Sequence, residues 1–228
     1  MTIKGFTLIE LIIVIGIIAL LATTVILVIN PANLFREARD SQRIADLGQL
    51  NSAFGLYLAT VPNPNMSLDN PVGGDICAWN NGVAVAGDWW ASSAAVGSAF
   101  QPFANPTVAE DSRTLSATPR AIDGTGWIPV NFGLTTGGSP ISGLPIDPNP
   151  EPAAPLDTTG RFYAYACDDG RLTYELNANM ESDRFGNVPG NDNVEQNDGG
   201  TSACSGGVCN STKANSVYEV GNATGLAL

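Results

Sequence analysis

Residues 5–30 read GFTLIELIIVIGIIALLATTVILVIN. From Phe6 to Ile29 the run is apolar and carries one charge, Glu10. These 24 residues as an α-helix, at about 1.5 Å each, reach about 36 Å, enough to span a bilayer with some tilt. A carboxylate inside hydrocarbon costs on the order of 3 kcal/mol. Glu10 therefore calls for a partner, and an isolated helix is expected to offer none. The preceding segment, Met1–Gly5, is short and polar with one basic residue, Lys4. Cleavage between Gly5 and Phe6 would create an α-amino group four residues from Glu10. That amine on one copy would neutralise the glutamate on another. A helix carrying half of an ion pair at each of two nearby positions is suited to self-assembly.

Two plainer readings of this segment compete. A cleaved secretory signal fits poorly, because the basic region is minimal and the apolar run exceeds a typical h-region. Ala19, Ala22 and Thr23 are the small residues such a reading would use. A plain signal anchor accounts for the length but leaves Glu10 and Gly5-Phe6 without a purpose.

Gly5-Phe6-Thr7-Leu8-Ile9-Glu10 with the apolar run to Ile29 resembles the class III signal of type IV pilins and type II secretion pseudopilins, a specific motif. The resemblance is close over roughly the first 30 residues. It is looser over Ala38–Arg43, Gly126–Asn131, Leu144–Pro148 and Tyr174–Leu176. It implies cleavage after Gly5 by a prepilin peptidase, N-methylation of Phe6, and packing of many helices into a filament. Glu10 would meet a neighbour's amino terminus. It also implies an inner-membrane assembly platform, a leader left in the cytoplasm and a head outside it. Charge counting does not give this orientation, since Arg36, Arg39 and Arg43 after the helix outnumber Lys4 before it.

The chain has 228 residues and a net charge of −12, from 22 acidic and 10 basic side chains. That balance disfavours nucleic acid as a direct partner of the whole domain. There is no histidine, so neither a Ser-His-Asp nor a Cys-His site can form. No P-loop and no GxSxG elbow occurs. The expected class is therefore not enzymatic. The cysteines are Cys77, Cys167, Cys204 and Cys209. An even count in a domain sent outside the cytoplasm reads as disulfides. Cys204-Ser-Gly-Gly-Val-Cys209 can close a small loop, which would leave Cys77 for Cys167. The other pairings and free thiols stay open, while the paired CxxC spacing of a zinc site is absent.

Asn30-Pro31 ends the apolar run, and Pro31 predicts a kink or break. Beyond it Leu34, Ala38, Ile44, Leu47, Leu50, Phe54, Tyr57 and Leu58 recur at helical spacing. One long helix from Phe6 to about Ala59 is expected, ended by Pro62 and Pro64. The charged stretch Arg36–Asp46 reads either as a solvated face or as ion pairing between subunits. From Pro62 to Pro155 the chain is rich in Gly, Pro, Ser and Asn, which predicts long loops with short strands. Trp79, Trp89 and Trp90 fall there and read as local core, with an exposed aromatic patch as the alternative. Gly126–Phe132 reads as a short strand. Arg161–Ala166 and Arg171–Leu176 around Asp168-Asp169-Gly170 read as a hairpin. Val217–Val220 would add a third strand.

Glu181–Gly200 carries Glu181, Asp183, Asp192, Glu195 and Asp198. Oxygen ligands in a flexible loop suit Ca²⁺, with Asp183, Asp192 and Asp198 as the candidate set; the alternative is a solvated acidic loop with no cofactor.

The expected fold is α+β: a long N-terminal helix, transmembrane then amphipathic, packed on a small antiparallel sheet with long loops. The expected division is 1–5 leader, 6–30 transmembrane and filament-core helix, 31–60 amphipathic helix and 61–228 head. The expected role is a filament subunit on the cell surface, with Gly5 and Phe6 for processing and Glu10, Phe6 and Pro31 for assembly. A periplasmic pseudopilin and a monomeric membrane-anchored binding module are the alternatives.

Overall fold

The computed structural model describes residues 5–67, 77, 79–80, 83–84, 88–93, 111–113, 118–151, 160–168, 170–186 and 217–222. Helix α1 runs Leu8–Ile29. Thr7 caps it, and Glu10 supplies the first-turn negative charge that a helix N-terminus favours. Leu8–Val25 is long and apolar enough to cross a membrane, and none of it is buried. Its two central threonines return their hydroxyls to the helix: Thr23 Oγ1 to the Ala19 carbonyl and Thr24 Oγ1 to that of Leu21, both at 2.8 Å. No polar side chain of this pair needs water, which suits a hydrocarbon setting.

The expected break falls where Pro31 places it. Asn30 takes a left-handed conformation, φ 44° and ψ 78°, and Pro31 opens helix α2, Pro31–Thr60. Proline is tolerated at that first position because its missing N–H would have no intrahelical partner. Two helices therefore stand where one was expected. Helix α2 ends at Thr60 and is capped by Val61, just before Pro62 and Pro64.

The buried positions of α2 are Asp40, Arg43, Leu47, Leu50, Ala53, Phe54 and Tyr57. Leu47 to Tyr57 follow the expected stripe. Leu34 and Ala38, expected on it, are exposed, and Asp40 and Arg43 occupy its upper end instead.

Among the described residues seven strands follow: β1 Trp79–Asn80, β2 Val83–Ala84, β3 Asp88–Ala91, β4 Asp111–Arg113, β5 Tyr163–Asp168, β6 Thr173–Ala178 and β7 Tyr218–Gly221. Four of them, β3-β5-β6-β7, form an antiparallel sheet. The hairpin β5–β6 lies two residues later than expected on each arm. Asp168 pairs with Thr173, so Arg171 belongs to the turn, where its N–H donates to Asp168 Oδ1 at 3.1 Å. Two pairings are parallel, β4 with β3 and β1 with β5, and the sheet is mixed at those edges.

Helix α2 lays its apolar stripe on this sheet. Phe54 stacks on Tyr174 with ring centroids 4.1 Å apart and on Tyr165 at 5.4 Å, while Phe132 meets it edge-on at 5.1 Å. Such ring pairs add about 0.5–1.5 kcal/mol each beyond the area they bury. Trp90 is buried beside Tyr165, as the core reading required; the side chains of Trp79 and Trp89 lie outside the described residues.

Gly126–Phe132 is not a strand. Trp127, Ile128, Val130 and Phe132 are all buried, a run without the alternation a half-buried strand shows. The segment is an irregular layer, joined to its neighbours by the Asp123–Asn131 bridge. It continues into a 3-10 turn, Phe132–Leu134. Gly126 is required there, since a Cβ would lie 2.1 Å from the Ala121 carbonyl oxygen. Cys77 and Cys167 form a buried disulfide, with Cα atoms 5.0 Å apart. It links residues 90 apart in sequence, a loop worth about 4–5 kcal/mol in the chain-entropy account. Cys204 and Cys209 lie outside the described residues.

Candidate assembly site and the charged lock behind it

At the N-terminus the sequence Thr7-Leu8-Ile9-Glu10 has the spacing of a capping box. Thr7 Oγ1 accepts from the Glu10 N–H at 3.4 Å, and Glu10 Oε2 accepts from the Thr7 N–H at 3.0 Å and its hydroxyl at 2.8 Å. The expectation that an isolated helix offers Glu10 no partner is thereby corrected. The partners are neutral donors from the glutamate's own first turn. They orient the carboxylate without cancelling its charge. Thr7 is the residue the sequence reading passed over, although the T-x-x-E spacing announces it. Gly5 and Phe6 are exposed, Phe6 at 78%. A Cβ placed on Gly5 would touch nothing within 4 Å, so the Gly5–Phe6 bond is open to approach. Gly5, Phe6 and Glu10 thus share one helical end, and Pro31 lies at the far end of α1.

A second charged group sits where α2 enters the head. Arg43 is buried and uses three donor atoms. Nη1 reaches Asp40 Oδ1 at 2.7 Å; Nε and Nη2 reach the two oxygens of Asp147, each at 2.8 Å; Nη2 also reaches Glu181 Oε1. Arg39 forks onto Glu181 from one helical turn away. Asp40 Oδ1 also accepts from the N–H of Glu181 at 2.9 Å, and its other oxygen, Oδ2, accepts from the N–H of Ser182 at 2.7 Å. Arg161 donates to the Asn149 carbonyl at 3.0 Å and pairs with Glu151 at 3.1 Å. The result ties α2 to two distant loops, one at Asp147 and one at Glu181.

Burial opposes the charge on Glu181, but hydrogen bonds and attraction from Arg39 and Arg43 prevail and hold it down at about 2. Burial likewise opposes the Arg43 cation, and Asp147 and Glu181 more than offset it, so its pKa is raised. Asp46 goes the other way: burial lifts its carboxyl above the ordinary value despite the hydrogen bond from Tyr163 at 2.8 Å.

Neither reading of Arg36–Asp46 as a wholly solvated face or as a set of intersubunit partners survives for Arg39, Asp40 and Arg43, which are paired within the same chain. Glu181, grouped with the acidic loop, is committed to two arginines. Asp183 follows it as an exposed turn residue; Asp192 and Asp198 lie outside the described residues. Among the described residues no group of three or more Asp, Glu, Cys or His is placed to hold a metal ion.

An apolar helix of membrane-spanning length, continued through a proline joint into a helix-on-sheet head, defines an α+β pilin-like architecture. Residues 1–26 match the family model described as the prokaryotic N-terminal methylation motif. The match and the apolar helix together support a type IV pilin-like or pseudopilin-like precursor. No curated protein and no solved structure matches the chain.

Proposed function

We propose that this chain is a structural subunit of a type IV pilus-like filament. The observation that carries the reading is the placement of the Gly5–Phe6 bond and Glu10 within one turn of an exposed, membrane-length helix. A prepilin peptidase removes Met1–Gly5 and Phe6 is N-methylated. The Phe6 amine of one copy then pairs with Glu10 of a neighbour. That pairing exchanges the neutral donors of Thr7 for a cation, an exchange that strengthens in low dielectric. The filament core buries the same apolar surface that the bilayer held, so leaving the membrane costs little hydrophobic free energy. The precursor is a single-pass inner-membrane protein with its head outside the cytoplasm, delivered to an assembly platform. The elaborate, disulfide-linked head favours a surface pilus over a periplasmic pseudopilin filament.

The test is Glu10→Leu. The variant should insert in the membrane and be processed as the parent is, yet yield few or no filaments by shearing and sedimentation. Filament yield equal to the parent's would refute the pairing. A monomeric anchored binding module predicts an uncut Gly5–Phe6 bond and no polymer in either protein.

A further inference from the structure

None of residues 31–39 is buried, and the first buried residue of α2 is Asp40. Glu37 and Arg39 already reach Arg184 and Glu181 of the head, so the neck proper is residues 31–36, about 9 Å at about 1.5 Å per residue. It exposes two large apolar side chains, Leu34 at 51% and Phe35 at 66%. They lie just past the Asn30–Pro31 joint, in the first two turns of α2. Beside them Arg36 is exposed. Arg39, Arg43, Arg161 and Arg184 each meet a carboxylate; Arg36 meets none among the described residues.

We propose that Leu34, Phe35 and Arg36 form an interfacial anchor that seats the neck in the phospholipid headgroup layer before assembly. The inference rests on the reading of α1 as a membrane span. Length supports it. Helix α1 has 22 residues, about 33 Å, against a hydrocarbon core of about 30 Å. The headgroup layer adds roughly 5–8 Å on each side. Leu34 and Phe35 lie about 8 and 9 Å beyond the end of α1, at the outer edge of that layer, and helical side chains lean toward the N-terminus and so back toward the lipid. Charge supports it as well: an arginine without a carboxylate, beside exposed Leu and Phe, is the composition that binds at a lipid surface. The anchor fixes how deep the helix sits and hence where the Gly5–Phe6 bond lies on the opposite side.

The full-length protein is reconstituted in phosphatidylcholine–phosphatidylglycerol vesicles carrying brominated acyl chains, with bromines placed either shallow or deep. Phe35→Trp and Ile18→Trp are each compared with the parent, whose four tryptophans supply the background to subtract. Both sites are exposed, so far-UV circular dichroism should match the parent. The added signal of F35W should be blue-shifted relative to the urea-unfolded chain and quenched more by shallow than by deep bromines. That of I18W should show the reverse order. Adding Arg36→Glu to F35W should weaken shallow quenching in these anionic vesicles and not in pure phosphatidylcholine. Emission from F35W as red as in urea, with no quenching, would place the neck in water and overturn the anchor while I18W still reports an inserted α1. Blue but unquenched emission that changes with the protein-to-lipid ratio would assign the surface to a second copy and also overturn it. An I18W signal that bromines do not quench would remove the membrane reading itself.

Discussion

Arg43 is the residue on which the head's attachment to the helix turns. It is the central cation among Asp40, Asp147 and Glu181, and all of its donors in the cluster are directed at carboxylates. Arg43→Met would remove the charge while keeping much of the volume. Three carboxylates would then crowd a buried site with only Arg39 and Arg161 nearby. Breaking a buried pair by deleting one partner costs about 3–5 kcal/mol. For a domain of this size that corresponds to a fall in Tm of roughly 6–20 °C. Circular dichroism melting of the full chain in detergent measures it; an unchanged Tm would show that the network contributes nothing net. Glu10 differs in kind. Its partners are the N–H and hydroxyl of Thr7, so its carboxylate is oriented by its own first turn, and its replacement is expected to alter assembly rather than folding.

At the scale of elements, the joint between α2 and the loops around Asp147 and Glu181 should be acid-sensitive. The folded-state pKa of Glu181 lies at about 2, below its ordinary 4.5. A depressed carboxylate contributes stability that is fully present above the ordinary value and is lost as pH falls through the folded one. The window therefore runs from about pH 5 down to about pH 2, and the contribution is on the order of 2–3 kcal/mol. Asp46, whose pKa is raised, acts in the opposite sense. It costs stability when charged at neutral pH and gives part of it back as it protonates in mild acid. Urea midpoints should therefore change little on first acidification and fall steeply towards pH 3. In Glu181→Gln that fall should be shallower; an identical pH profile in the two proteins would contradict the assignment.

These elements also show what a linear reading reaches. The apolar run, the break at Pro31, the stop before Pro62 and the hairpin each follow from local chemistry, and each appears within a few residues of its expected place. The inward course of Asp40 and Arg43 does not. The spacing 40, 43, 47, 50, 54, 57 is one helical stripe, but charged residues at its head look solvated until their partners are known. Those partners lie 104 and 138 residues away from Arg43. Gly126–Phe132 misleads for a related reason: its apolar residues are drawn inward together by a crowded irregular layer, where Gly126 packs against the Ala121 carbonyl. The parallel pairings at the sheet edges depend on chain paths that no short segment encodes. At the N-terminus the T-x-x-E capping box is fully local, and the spacing of Thr7 and Glu10 is enough to announce it.

For the whole molecule, two halves of different surface chemistry meet at Asn30–Pro31. One is an uncovered apolar rod whose polar side chains are satisfied within the helix. The other is a head held by an aromatic core, a disulfide and a buried ionic lock that fixes how α2 enters it. Under the proposed function the head would stay intact while the rod exchanged lipid for neighbouring rods. The central claim is that processing at Gly5–Phe6 releases an assembling subunit. Intact mass and N-terminal sequencing of protein sheared from the cell surface test it most directly. The account predicts a chain that begins at Phe6, carries one added methyl group and sediments as a filament. A chain that still begins at Met1 and remains monomeric in the membrane fraction would contradict it.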